Sequence, residues 1–202
     1  MQTKLLELNI GETSLEVKED TQFVVYISKA LSKKSENVSL VLIFNKSRVT
    51  AEIICMYSLG VNESVVLTTS TIHKAPFTSC VTYIKGVLFD GGNSSYTGKI
   101  IIEKDAQQTN SYLNDNVLVV GENTKNNSQP VLEIKANDVK ASHGATTGRV
   151  SEEQLYYLES RGLSEIESQN LIVEGFFESL LSKIKDDKIK NKIKNRVLNA
   201  EI

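Results

Sequence analysis

The two histidines and two cysteines of this chain are its main candidates for metal or redox chemistry. His143 lies between small residues that would let a ligand or another subunit approach, and imidazole binds iron and zinc readily. Cys80 begins a predicted strand and is a weaker candidate, as a thiolate ligand. His73 and Cys55 instead fit structural roles, since a thiol on an alternating strand usually behaves as a small buried apolar side chain.

Motifs typical of enzymes are missing from the sequence. It contains no P-loop, no GxGxxG after a strand, no GxSxG elbow and no HExxH. Two histidines are also too few for an ordinary histidine-based metal site. We therefore expect a chain without catalytic side chains and without an ATP site of its own, and hence not an enzyme.

Composition and charge place the chain in a broad class. With 202 residues, 40% apolar residues, 6% aromatic residues and no Trp, its core must consist mainly of Val, Ile and Leu. The net charge of −2 argues for neither nucleic acid nor membrane as a partner. Neither a CxxC spacing, nor a signal peptide at the start, nor a membrane-length apolar stretch is present. These features predict a soluble cytoplasmic protein.

The elements that must position these side chains are mainly short strands rich in β-branched residues. The clearest patterns cover 21–27, 38–44, 49–59, 64–73, 79–89, 95–105, 116–122 and 130–136. Such a run suits either a sandwich or barrel, or a solenoid of stacked β-turns. The strands recur at intervals of about 11 to 21 residues and their polar linkers carry no helix, which favours the solenoid.

Helices replace strands after residue 150. Ser151 precedes Gln154 by three residues, and Ser164 precedes Glu167 by three, so that each pair predicts a capping box at a helix start. Gly162 is expected to end the first helix. The last segment, 183–202, is amphipathic and basic. It fits a solvated helix or a helix that docks on a partner through its Ile face, with RNA or membrane contact as a third alternative.

Seven runs of residues stand out as possible family motifs: 85–88, 98–102, 106–110, 137–146 (NDVKASHGAT), 153–158, 160–164 and 173–176. These runs resemble motifs of the SufB/SufD family of iron–sulfur cluster assembly scaffolds and occur in the family's order and spacing. The resemblance covers roughly residues 38–200 and is closer to SufD than to SufB.

The resemblance implies a mostly β fold: a right-handed parallel β-helix over residues 1–149, followed by a small helical domain over 150–202. It implies a scaffold or accessory role in the SUF machinery, as a homodimer or as a heterodimer with a SufB-type chain. It also implies that the helices bind a SufC-type ABC ATPase, through the apolar residues Leu155, Leu158, Leu171, Phe176, Phe177 and Leu180. His143 carries over as a functional histidine near a transient iron–sulfur cluster, or iron, held at a subunit interface.

Some positions depart from the family pattern. Ala141 stands where SufD-type motifs often have Cys, and Ser142 and Gly144 stand where SufB-type chains have acidic residues. No Cys corresponds to the SufB cysteine within 110–121, and the long N-terminal region usual in the family is absent. We therefore expect half of a site around His143, completed across an interface.

Two other functions compete with this interpretation. A metal-free β-solenoid would only bridge other subunits and would bind the ATPase without taking up iron. A carbohydrate-active β-helix would present a groove of several Asp and basic residues on one face, and the sequence shows no such cluster.

Overall fold

The computed structural model describes residues 1–27, 37–61 and 63–198. In these ranges eleven strands precede three helices, none of which is long and apolar enough to cross a membrane. The strands are β1 (Gln2–Leu8), β2 (Gly11–Glu16), β3 (Thr21–Ile27), β4 (Asn37–Phe44), β5 (Thr50–Leu59), β6 (Ser64–His73), β7 (Ser79–Leu88), β8 (Asn93–Ile102), β9 (Asn110–Val119), β10 (Lys125–Ile134) and β11 (Lys140–Arg149). The helices are α1 (Glu152–Glu159), α2 (Glu165–Leu181) and α3 (Asp187–Leu198).

Consecutive strands alternate between two parallel sheets. The odd sheet has the order β1-β3-β5-β7-β9-β11, and the even sheet has the order β10-β8-β6-β4-β2. Thr50 pairs with Ser79, and Ser79 pairs with Asn110, so one turn of the chain takes about 30 residues. The chain is therefore a parallel β-solenoid of about four turns followed by three helices. This confirms the predicted β-helix and excludes the sandwich or barrel.

The sequence analysis did not predict β11. Its last strand pattern ended at residue 136, whereas the structure places 140–149 in a strand that pairs with β9. The reason is its composition: Gly, Ala, Ser and Thr dominate, because a strand at the end of the solenoid has no further turn to pack against. Strand periodicity is weak where one face is not buried.

The solenoid interior is an aliphatic core, as the composition predicted. Side chains at alternate positions point inward, and Ile53, Leu67 and Ile84 are completely buried there. Tyr96 is a large side chain buried there almost completely, and its hydroxyl lies 2.6 Å from that of Thr69. Stacked turns thus bury a continuous core that no single turn could form.

A second core joins α2 and α3 to the outer face of the odd sheet. The sheet side contributes Val24, Tyr26, Ile54, Met56, Val87 and Phe89. The helices contribute Val173, Phe177, Leu180, Leu181, Ile193 and Val197. The apolar face of the last segment therefore packs on its own chain, and its exposed face is basic. The division at residue 150 into two domains stays a prediction, because the helices share this core with the strands.

Polar contacts reinforce the same junction. Gln22 donates from Nε2 to the carbonyl oxygen of Lys183 at 2.9 Å and accepts from the backbone N–H of Lys185 at 3.2 Å. Lys85 donates to the carbonyl oxygen of Phe176, and its Nζ lies 4.1 Å from the centre of the Phe176 ring. Burial at this junction lowers the pKa of Lys85.

Of the two predicted capping boxes, one is confirmed and one is wrong. Glu167 donates its backbone N–H to Ser164 Oγ at 3.3 Å, and Ser164 donates its own to Glu167 Oε2 at 2.8 Å. Ser151 occupies the N-cap position of α1 but its side chain makes no cap hydrogen bond. The side chain at N3 of α1 is the neutral amide Gln154, which is a weaker acceptor than the carboxylate of Glu167 in α2. Gly162 ends α1 with a φ of +95°, as predicted.

Candidate functional site

The last turn of the solenoid, formed by β10 and β11, is its open end. Among the residues that the structure describes, β11 pairs with β9 alone and β10 pairs with β8 alone. Each strand therefore presents a free edge of backbone N–H and C=O groups, which is a template for another strand. Asn126 Nδ2 donates to Thr147 Oγ1 at 2.7 Å and ties the two strands together.

His143 lies on this open end. It pairs with Leu113 on β9, a residue that is only 2% exposed, so the two share the face that points into the solenoid. His143 itself is exposed, because no strand in the described ranges follows β11 on that side. The structure thus places the predicted histidine where a ligand or a second chain can reach it.

Asp115 lies beneath the open end and was missed by the sequence analysis. It pairs with Ala145 of β11 and is completely buried, and its Oδ2 accepts a hydrogen bond of 2.6 Å from Ser128 Oγ of β10. Its Oδ1 has no partner among the described residues. Burial raises the pKa of this carboxyl to about 6, although the Ser128 hydrogen bond opposes the shift. An Asp at an inward position of an alternating strand was the available signal.

Cys80 does not meet His143. Its strand neighbours are Ala51 and Ser111, and Ser111 in turn pairs with Ala141, so Cys80 lies two strands below the open end. The thiol is completely buried, and burial raises its pKa to about 12. A protonated, inaccessible thiol does not support the prediction that Cys80 is a thiolate ligand.

The other histidine and cysteine have the structural roles that were expected. His73 is buried, its Nδ1 lies 2.9 Å from Thr78 Oγ1, and its ring stacks on Phe44 at 4.4 Å between centroids. Burial lowers the pKa of His73 to about 4. Cys55 is buried in the same interior, where burial first and the Asp115 charge second raise its pKa to about 12.

No complete metal site exists within the part of the chain that the structure describes. There, no group of three or more His, Cys, Asp or Glu side chains is placed to hold a metal ion. His143 is one exposed donor, and structural and catalytic metal sites use three or four protein ligands. A metal site at His143 would need further ligands from another molecule, and the half-site around His143 stays a prediction.

A second candidate surface is the groove between α1 and α2. It has a volume of about 560 Å³ and is lined by Glu153, Gln154, Tyr157, Leu158, Leu171, Ile172 and Gly175. Leu158 and Leu155 are half-buried, and Leu171 is 49% exposed. Exposed aromatic and aliphatic side chains close together are typical of docking surfaces.

The structure separates the six residues predicted to bind a partner. Leu155, Leu158 and Leu171 lie on the surface formed by α1 and α2. Phe177 and Leu180 are buried against the odd sheet of the same chain, and Phe176 lies half-buried under Lys85.

The sequence analysis did not single out three exposed residues of α1 and α2, of which Tyr157 lines the groove. Tyr156, Tyr157 and Ile166 are 74%, 56% and 59% exposed. Helix α1 buries none of its residues, which leaves its two tyrosines open to solvent. Large side chains that remain this exposed add to the apolar area available for docking.

Comparison with known proteins adds independent information about this architecture. Residues 5–176 match the family model described as the SufBD core domain of SUF system FeS cluster assembly. The chain is 33% identical over 125 residues to the iron–sulfur cluster assembly protein SufD of Escherichia coli K12, which is 62% of this chain and 30% of that protein. It is 32% identical over 126 residues to SufD of Bacillus subtilis, which is 62% of this chain and 29% of that protein.

A third relative belongs to the same family under a broader name. The chain is 36% identical over 113 residues to an iron–sulfur cluster assembly SufBD family protein of Mycobacterium tuberculosis H37Rv, which is 56% of this chain and 13% of that protein. In each of these relatives the matched part is less than a third of the whole length.

Proposed function

This chain belongs to the SufBD family of SUF iron–sulfur cluster assembly proteins and is SufD-like, and we propose that it is a non-catalytic scaffold or accessory subunit of that machinery. We further propose a cytoplasmic location. The observation that carries the proposal is His143: an exposed histidine on a strand with a free edge, at the end of a β-solenoid. That arrangement suits a site that is shared between two chains.

The open end is the proposed pairing surface. A second strand edge placed against β11 would satisfy the free backbone groups and bring another set of side chains next to His143. The partner is a second copy of this chain or a SufB-type chain. Because the described residues hold no complete metal site, the iron and sulfide of a growing cluster would be cargo bound between the two chains rather than within one.

The surface formed by α1 and α2 is the proposed docking site for the SufC-type ATPase. ATP-driven movement of the ATPase would then reach the strands through α2, which is bonded to β7 by Lys85 and packed on the odd sheet. The mechanism is positional: a shift of the helices would alter the pairing at the open end and change access to His143. No side chain acts as an acid or base in it.

Iron uptake tests the histidine. We expect anaerobic reconstitution with ferrous iron and sulfide to give less visible absorption for His143→Ala than for the unmodified chain. The matched control is Ser142→Ala, an exposed neighbour on the opposite face of β11. Cys80→Ala should leave the spectrum unchanged, because that thiol is buried. Equal spectra for His143→Ala and wild type would remove His143 from the site.

Co-purification tests the docking. Deleting residues 151–202 would strip the second core from the odd sheet, so exposed substitutions are the sharper test. Tyr157→Ala and Leu171→Ala, both in the lining of the groove, should each reduce recovery of the cognate ATPase, while the fold, followed by circular dichroism, stays intact. If the unmodified chain does not bind the ATPase, the docking proposal is wrong.

The metal-free bridging subunit remains the second candidate. The absence of a complete ligand set in the described residues favours it over a chain that holds a cluster alone. It predicts intact ATPase binding together with no iron uptake by this chain itself. The reconstitution above, repeated on the complex with a SufB-type chain, decides between the two: a loss of absorption with His143→Ala supports the shared site, and equal spectra support the metal-free subunit.

A further inference from the structure

Gly175 is an unexpected residue at its position in α2. It lies inside a helix that runs from Glu165 to Leu181, where glycine is among the poorest helix formers. Its φ is not positive, so the backbone does not require glycine. A Cβ added to it would meet no atom within 4 Å, so the packing of the described residues does not require glycine either.

The groove between α1 and α2 does depend on Gly175. On α2 the helical repeat places Gly175 on the same side as Leu171, four residues earlier. Both residues line the groove, opposite Tyr157 and Leu158 of α1. A side chain at 175 would project into space that is open in this chain. Because residue 175 has no side chain, a cavity stays open between Leu171 of α2 and the α1 residues Tyr157 and Leu158, and we call this cavity the socket.

The helices that form this socket are acidic, and Glu153 of α1 lines it. The segment from 151 to 167 carries the carboxylates Glu152, Glu153, Glu159, Glu165 and Glu167, and Arg161 is the only Lys or Arg between residues 151 and 181. Further along α2, Glu174 and Glu178 are paired with Lys194 and Lys190 of α3 at 2.6 and 3.4 Å. The charge that no ion pair among the described residues compensates is thus concentrated on α1 and the start of α2, the two helices that form the groove, and it favours a basic partner surface.

We propose that Gly175 is the floor of a socket that receives one large apolar side chain from a partner surface flanked by Lys and Arg. The inference rests on the proposed docking of the ATPase and specifies the chemistry of its contact surface. A second copy of this chain does not offer such a surface from α3, because the apolar residues Ile193 and Val197 of that basic helix are buried on its own sheet.

Calorimetric titration of the ATPase into the intact chain tests the socket, with three variants. Gly175→Ala should raise the melting temperature by about 2–4 °C, since alanine is the better helix former. It should also weaken ATPase binding about tenfold, because the methyl group occupies the socket. Gly175→Leu should weaken binding further. Asn170→Ala, exposed on the same helix outside the groove, should raise the melting temperature and leave the affinity unchanged.

The outcomes separate the socket from the docking proposal. If the Gly175→Ala variant is more stable than wild type and binds the ATPase as tightly, the proposal of a socket at Gly175 is wrong, while the proposal that the ATPase docks on α1 and α2 is unaffected. If wild type does not bind the ATPase at all, docking and socket both fail. A basic partner surface predicts that added salt weakens binding, and less so for Glu153→Gln. Binding that strengthens with added salt would overturn the proposal that the partner surface is basic.

Discussion

Two buried side chains give the stability of this protein opposite responses to pH. Asp115, beneath the open end, has its pKa raised by burial from 3.8 to about 6. His73, stacked on Phe44, has its pKa lowered by burial from 6.5 to about 4. Both are completely buried, so solvent screens neither shift strongly. Each shift is a difference in proton binding between the folded and the unfolded chain.

The contributions of Asp115 and His73 to stability change with pH in opposite directions. Between about pH 4 and pH 6 the folded chain holds a proton on Asp115 that the unfolded chain has released, so the contribution of Asp115 to stability falls as the pH rises. In nearly the same window the unfolded chain protonates His73 while the folded chain keeps it neutral, so the contribution of His73 falls as the pH drops. Each shift of about two units corresponds to about 3 kcal/mol. The two contributions therefore nearly cancel in the wild-type chain.

Substituting one of the two groups at a time should reveal how each changes the free energy of unfolding with pH. Asp115→Asn removes the carboxyl and keeps an acceptor for Ser128, and His73→Phe removes the imidazole and keeps a ring against Phe44. Relative to wild type, the Asn variant should gain about 3 kcal/mol in free energy of unfolding between pH 4 and pH 7. The Phe variant should lose about the same amount relative to wild type over that range.

Urea denaturation followed by circular dichroism at intervals of half a pH unit measures both differences. Subtracting wild type at each pH removes the contribution of all other titrating groups, because they are common to the pair. Differences that stay constant with pH would refute the assigned shifts, and so would slopes of the same sign for the two variants.

Three further predictions test the helices and the buried thiols. Ser164→Ala should lower the free energy of unfolding by about 1 kcal/mol through loss of the capping box, while Ser151→Ala should change it little; equal losses in urea denaturation would contradict the assigned caps. Cys55 and Cys80 should resist a thiol reagent in the native chain and react after unfolding, and rapid native labelling would show that they are accessible. Lys85→Met should remove the hydrogen bonds to α2, cost about 1–2 kcal/mol and speed amide exchange in α2; unchanged exchange would show that Lys85 does not anchor the helix.

The architecture of the strands could be predicted from the sequence because their inward faces are continuous and aliphatic. Where that face is not buried the signal disappears, and β11 was missed for this reason although it carries His143. The histidine was found from its small neighbours and from a family motif, neither of which reports secondary structure. Asp115 was not found, because its importance depends on being inward and directly under the last turn.

The helical residues show a different limit of sequence reasoning. An apolar face on a helix predicts that something will cover it, and it does not say whether the cover belongs to the same chain. Phe177 and Leu180 were assigned to a partner, and the odd sheet of this chain covers them. Leu158 and Leu171 look no different in sequence, yet they line an open groove. Only the three-dimensional arrangement of α1, α2 and the sheet separates the two sets.

The junction between the helices and the odd sheet changes how the solenoid should come apart. Turns that contact only their neighbours can fray one after another from either end. Here α2, α3 and the segment between them bond to β3, β5 and β7, which belong to three successive turns. The helices therefore hold three turns of the solenoid together, so the stability of the first turns depends on helices at the other end of the chain. We expect the turns that the helices cover to unfold as one cooperative unit, while the uncovered last turn at the open end can unfold separately.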